Sequence, residues 1–134
     1  MLSTLRQSKV LIFGTFDHLH PGHHFVLNEA LKRGAVTVVV GRDENVRRIK
    51  DHAPEQCEQE RLAAIAAAFP DVTPILGDPQ NFLIPVTTVK PDLILLGYDQ
   101  KLPPGVREFD LPCPIERLTA YRENEFKSSL RKRS

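Results

Sequence analysis

The run Ala35-Val-Thr-Val-Val-Val40, closed by Gly34 and Gly41, carries β-branched side chains with almost no polar alternation. A strand of that kind has no face to give to water, so it belongs in a sheet covered on both sides. Val10–Phe13 ending at Gly14, Val72–Leu76, and the stretch from Pro91 to Gly97 repeat the pattern. The intervening segments change period. From Gly22 to Arg33, Val26 and Ala30 fall four apart, as do Leu27 and Leu31, and Glu29 can pair with Arg33 on the outer face. Asp43 is placed to cap a short helix running to about Lys50, and Glu55–Phe69 is an alanine-rich helix closed by Pro70. Gln80–Val89 predicts a further short helix, weakened by Pro85. Pro114–Leu118 reads as a fifth strand and Glu125–Arg133 as a terminal helix. Strands alternating with helices predict an α/β fold in which a parallel sheet is covered on both faces. In such sheets the ligand crevice lies beyond the carboxyl ends of the strands, where strand order reverses.

With 134 residues, 41% hydrophobic and 26% charged, the chain suits one domain, spanning 1–134, with a core that needs no disulfide or metal. A formal net charge of +1 gives no global field for nucleic acid or a membrane surface, so neither is expected as a partner. Cys57 and Cys113 are isolated, Met1–Ser8 is too short and polar for a signal peptide, and no apolar run has membrane length. The cytosol is the expected compartment. An anionic ligand would have to be caught by a local site.

The loop after the first strand supplies one: Gly14-Thr-Phe-Asp-His-Leu-His-Pro-Gly-His23. His20 and His23 bracket Pro21-Gly22 at the start of the first helix, where unpaired backbone N–H groups and the positive dipole end favour a phosphate. Gly22 removes a Cβ where a phosphate could approach the backbone. Two imidazoles there can donate to phosphate oxygens, and displacement at phosphorus asks mainly for positioning and donors. Other readings stay open. A histidine at a helix start is often a solvated cap, and His18, His20, His23 and His24 could together bind a divalent metal. Neither CxxC nor HExxH spacing accompanies them, so no protein-only metal site is expected.

This loop resembles the GTFDxxHxGH signature of the HxGH nucleotidylyltransferase superfamily, which includes glycerol-3-phosphate cytidylyltransferases and archaeal-type FAD synthases. The resemblance extends to Asp43–Lys50, to Gln59-Glu60-Arg61, to the Gly97-Tyr-Asp-Gln100 loop and to Phe126–Leu130. It implies a Rossmann-like, doubly wound sheet of five parallel strands, a homodimer, and Mg²⁺ accompanying a nucleoside triphosphate. It further implies that His20 and His23 bind the phosphate chain, with Gly14, Thr15, Phe16 and Gly22 lining the triphosphate floor. Gly97, Asp99 and Gln100 would hold the nucleoside, and Lys127, Ser128 and Ser129 would reach the phosphates, against the alternative of a frayed basic terminus. Lys50, as a catalytic cation, and Arg47 are the candidate clamps on the leaving pyrophosphate, the alternative being a solvated helix face. Asp17 would hold the acceptor or the metal, or else simply bond its own turn.

The implied activity is transfer of a nucleoside monophosphate from ATP or CTP to a phosphorylated acceptor. Asp99-Gln100 is similar to the archaeal-type FAD synthases and favours ATP and FMN. Glycerol 3-phosphate or a related polyol phosphate with CTP is the second choice. With Trp absent and two Tyr, stacking on an isoalloxazine would fall to a Phe or to Tyr98. A non-catalytic nucleotide-binding module and a histidine-rich metal protein remain as readings of another class.

Overall fold

A computed structural model of the chain describes residues 8–98, 100–103 and 105–119. Its elements are β1 (Lys9–Gly14), α1 (Pro21–Leu31), β2 (Ala35–Val40), α2 (Asp43–Lys50), α3 (Glu58–Ala68), β3 (Val72–Leu76), α4 (Ile84–Val89), β4 (Leu93–Leu96) and β5 (Ile115–Arg117). A single 3-10 turn, Glu108–Asp110, lies between β4 and β5. The strands form one sheet in the order β3-β2-β1-β4-β5, and every neighbouring pair is parallel. The expected Rossmann-like α/β sheet is what forms. Strand order reverses between β1 and β4, which puts the crevice at the loop after β1. The predicted terminal helix, Glu125–Arg133, lies outside the described residues.

Period-two alternation sends the strand side chains to two cores. Val10, Ile12, Val36, Val38 and Val40 point to one face and pack with Leu27 and Ala30 of α1 and Ile65 of α3. Leu11, Phe13, Val39, Ile94 and Leu96 point to the other and pack with Val86 of α4. Both faces of β1 are therefore dry, which is why its sequence has no polar member between Val10 and Phe13. At the far end of α1, Arg33 makes the expected pair with Glu29 at 3.1 Å. It also grips Glu116 of β5 with Nε at 2.8 Å and Nη2 at 2.7 Å, tying the helix to the edge strand.

Three boundaries differ from the sequence reading. Arg42 is the cap residue of α2, without a side-chain cap bond, and Asp43 is the first helical residue. The Asp43 N–H is met instead by Glu58 Oε1 of α3 at 2.8 Å. Residues Glu55–Cys57 form a lead-in rather than the first turn of α3. Finally, α4 begins at Ile84, so that Pro85 sits in its first turn, where a missing N–H costs nothing.

One side chain joins these pieces. Arg61 is fully buried on the same face of α3 as Ile65. Its Nη1 donates to the Thr15 carbonyl at 2.8 Å, its Nε to the Gln56 carbonyl at 3.0 Å and its Nη2 to Asp43 Oδ1 at 2.6 Å. Substituting Arg61→Met leaves two carbonyls and a carboxylate without their donor. Urea unfolding is expected to show a loss of about 3 kcal/mol, with Arg61→Lys recovering only a minor part because it lacks the planar fork. An unchanged midpoint would show that the node is dispensable.

Candidate active site

The loop from Gly14 to His20 is held in a conformation that side chains rarely choose. Phe16 and His18 both have φ of 55°, in the left-handed region. The Phe16 ring folds back over Gly14, where a Cβ would come within 2.5 Å of it, so residue 14 has to be glycine. The segment ahead of α3 acts as a splint. Asp17 accepts from the N–H of Glu55 at 2.8 Å and of Gln56 at 2.9 Å, and Gln56 Oε1 in turn accepts from the His18 N–H at 2.9 Å. His18 Nε2 lies 3.0 Å from Glu55. Desolvation alone would raise the Asp17 carboxyl. The amides of Gln56 and Glu55, helped by His18 and Arg61, hold it below its ordinary value. Asp17 is thus an anchor of the loop, and none of its described contacts supports the acceptor or metal link expected of it.

His20 and His23 are brought together. Their rings stack with centroids 3.7 Å apart and planes 19° from parallel. His20 is the cap of α1, and its Nδ1 accepts from the N–H groups of Gly22 at 3.1 Å and His23 at 3.4 Å. The His20 N–H donates to His23 Nδ1 at 3.3 Å, which completes a reciprocal capping box. Both Nδ1 atoms are therefore acceptors, and the proton of each ring belongs on Nε2. This alters the expected phosphate cradle. Pro21 has no N–H, Gly22 and His23 give theirs to His20 Nδ1, and His24 gives its own to the His20 carbonyl at 3.0 Å. The amides that the sequence assigned to a phosphate, that of Gly22 included, are consumed by the cap. With that tautomer, the side-chain donors these two residues carry are imidazole Nε2–H groups rather than backbone amides.

Burial pushes the His23 imidazole down from 6.5 to about 4, and His20, His24 and Lys50 push the same way against a small pull from Asp17. His23 is therefore neutral at physiological pH. The other two histidines of the cluster diverge: His18 turns to Glu55, and His24 lies against the Phe69 ring at 5.0 Å. Among the described residues no group of three His, Cys, Asp or Glu is placed to hold a metal.

His23 opens into a cleft of about 590 Å³ at the carboxyl ends of the strands. Gly14, Thr15 and Phe16 line it from the β1 loop, Lys50 from the last turn of α2 and Gln100 from the loop after β4. Lys50 therefore stands where the sequence placed it. Arg47, one turn earlier, is exposed and does not line the cleft. Gln100 is there, but its side chain is employed internally. Its Nε2 donates to the Phe13 carbonyl at 2.6 Å and its Oε1 accepts from the Gly97 N–H at 3.0 Å, bridging β1 and β4 at the point of strand reversal. Asp99, Lys127, Ser128 and Ser129 lie outside the described residues.

Several residues that shape the site were absent from the sequence reading. Arg117 Nη1, at the end of β5, donates to the carbonyls of Gly97 at 3.1 Å and Gln100 at 2.6 Å and so fixes the loop after β4. Buried Asn45 ties α2 to the Asp78 carbonyl at 3.2 Å, and Arg42 Nε does the same to Gly77 at 2.5 Å. Lys101 lines the cleft as a second lysine. Arg61, by contrast, lay in the Gln59-Glu60-Arg61 segment that the resemblance marked, and its spacing of four from Ile65 puts it on the buried face of α3.

Against known proteins, the cytidylyltransferase-like family model matches residues 11–130. The chain is 38% identical over 132 residues to an FAD synthase of Methanopyrus kandleri, covering 92% of this chain and 87% of that protein. It is 39% identical over 129 residues to an FAD synthase of Archaeoglobus profundus, covering 90% and 81%. Among solved structures, a lipopolysaccharide core biosynthesis protein from Thermoplasma volcanium superposes with a TM-score of 0.75 at 34% identity, over 87% of this chain and 99% of that one. Stacked histidines at the strand reversal, a cleft over the carboxyl ends of the sheet and a family match across most of the length agree. This chain belongs to the cytidylyltransferase-like family of nucleotidyltransferases.

Proposed function

We propose that the chain is an FAD synthase, transferring the adenylyl group of ATP to FMN with release of pyrophosphate. The observation that carries the transfer is the stacked His20–His23 pair, with two Nε2–H donors at the head of α1. The choice of donor and acceptor rests on the two archaeal relatives, each an FAD synthase by name.

In this reading a phosphate oxygen of FMN attacks the α-phosphorus of ATP. The bond from that phosphorus to the bridging oxygen breaks, and its electron pair leaves with pyrophosphate. No covalent enzyme intermediate is required. His20 and His23 donate to the oxygens on which charge accumulates, and Lys50 neutralises the departing pyrophosphate. The rigid cap matters here, because donors fixed beforehand lose little energy to reorganisation when the charge appears. Mg²⁺ enters with the triphosphate. The described residues offer it no cage, so phosphate oxygens and water are its expected ligands, and no step is assigned to it. A homodimer in the cytosol completes the proposal.

His20 does two jobs, and they can be separated. Asparagine is also a good cap residue but lacks the distal donor. His20→Asn is expected to keep the melting temperature near the parent's while lowering kcat with ATP and FMN by about 10²- to 10³-fold, the range for losing one oxyanion donor. His23→Ala should lose a comparable factor. The reading is sunk if both variants turn over within a few-fold of the parent, or if the parent makes no FAD from ATP and FMN while joining CTP to glycerol 3-phosphate.

The buried His23 also has a pH signature. Its folded pKa, about 4, lies below the ordinary 6.5. Above 6.5 both states hold a neutral ring and the shift has no effect. As pH falls from 6.5 to about 4, the unfolded chain takes up a proton that the folded chain refuses, so stability declines through that window and levels off below it. Unfolding free energies measured across the window should fall more steeply for the parent than for His23→Gln. Parallel curves would contradict a buried neutral imidazole.

A further inference from the structure

The cleft has two chemically different walls, and the proposed reaction uses only one of them. On the α1 side stand His23 and Thr15, with Lys50 at the end of α2. Apart from these and the polar Asn45, Gln100 and Lys101, the lining includes six apolar side chains: Phe13 and Val39 of the sheet, Phe82 ahead of α4, Leu102 and Pro103 after β4, and Ile49 of α2. Phe13, Val39 and Leu102 belong to the core on the α4 face, which fixes the direction of this wall. None of the six side chains carries a hydrogen-bonding group. Ile49 is 48% exposed, one of three large hydrophobic residues so exposed among the described residues, and it is exposed into the cleft.

We infer that this wall seats the dimethylbenzene end of the flavin ring system, with Phe82 as the residue that determines acceptor specificity. The inference rests on the reading of FMN as acceptor. A glycerol or sugar phosphate would leave its hydroxyls facing hydrocarbon, each losing its bond to water without replacement. Adenine, the other planar group in the reaction, carries nitrogen on every edge and suits the wall poorly for the same reason. The dimethylbenzene end of the isoalloxazine has no polar atom on its outer edge. The ring phosphate tail then points across the cleft toward His23 and Lys50, which is where the attacking phosphate has to be. A volume of about 590 Å³ falls within the ordinary range for small-molecule sites. Of the stacking partners that the sequence suggested, a Phe or Tyr98, Tyr98 does not line the cleft. Phe82 does, half-buried in the segment just ahead of α4.

The test is a comparison of Phe82→Ala and Ile49→Ser with the parent full-length chain. Ile49 is solvent-facing, so its variant folds whether or not Phe82→Ala does. Steady-state assays give KM for FMN and for ATP, and the fluorescence anisotropy of FMN titrated with protein gives binding without turnover. Phe82→Ala is expected to raise KM and the anisotropy Kd for FMN about tenfold, the scale of one lost aromatic contact. KM for ATP and kcat at saturating FMN should stay within about twofold. Ile49→Ser should move FMN the same way by a smaller factor, and Phe82→Tyr should restore it. Unchanged FMN affinity in a folded Phe82→Ala and in Ile49→Ser overturns the assignment, as does a rise confined to ATP, which would hand the wall to adenine. Should the parent bind FMN yet form no FAD, the reaction is misread while the anisotropy series still decides the ring site. A parent that binds no FMN overturns both.

Discussion

A buried guanidinium holds this site in place. Arg61 reaches the β1 loop through the Thr15 carbonyl, the lead-in to α3 through Gln56 and the first turn of α2 through Asp43. Those three segments contribute the floor, the splint and the cationic wall of the cleft. Burying a charge is costly unless every donor finds a strong acceptor, and here the three described donors do. The arrangement also explains the backbone next to it. Two non-glycine residues in the left-handed region, Phe16 and His18, are unfavourable alone. They persist because Arg61 and Asp17 fix the loop from both ends.

The cap of α1 shows how the same loop gains function from a structural need. A helix that begins with Pro21 still has N–H groups at Gly22 and His23 to satisfy, and serine or aspartate would do so more compactly. Histidine uses Nδ1 for the cap and thereby forces its proton to the opposite ring nitrogen. The reciprocal bond from the His20 N–H to His23 Nδ1 imposes the same tautomer on the second ring. Two donors are thus oriented by backbone hydrogen bonds. The cost is that the helix amides are no longer available to an anion.

The strands were legible to within a residue or two because short, mainly apolar runs bounded by Gly or Pro mark them, and β2 and β3 match the reading at both ends. Helix ends were less legible where a long-range group replaced a local one. Asp43 looks like a cap in sequence, yet Glu58 of α3 takes over that amide, fifteen residues away, and frees Asp43 for Arg61. The same reason divides the site. His23 and Lys50 stand out by local spacing and both line the cleft, while His20 stacks on His23 outside that lining. Arg47, three residues before Lys50, is exposed and does not line the cleft. Arg117 acts across strands that are distant in sequence, and no local pattern marks such a residue; Gln100 was marked by its loop, but as a nucleoside contact rather than as the bridge from β1 to β4. Phe82 is invisible for the same reason, since Phe13, Val39 and Leu102, which line the cleft with it, come from three separate strands or loops.

Electrostatics finally accounts for how a chain with a formal net charge of +1 can offer a site for a polyanion. Four carboxylates near the cleft among the described residues are turned elsewhere: Asp17 to two amides, Asp43 to Arg61, Glu58 to the Asp43 N–H, and Glu55 to His18. None lines the cleft, whereas Lys50 and Lys101 both do. No ion pair is recorded for either lysine among the described residues, in contrast to Arg33, Arg42, Arg61 and Arg107. Lys50 and Lys101 thus bring positive charge to the cleft, where low-dielectric walls lengthen its reach. His23 adds to this without adding charge, since a ring held neutral by burial contributes a donor and no repulsion toward the lysine beside it. Selectivity for an anion is achieved by where the acids point, not by how many bases the chain contains.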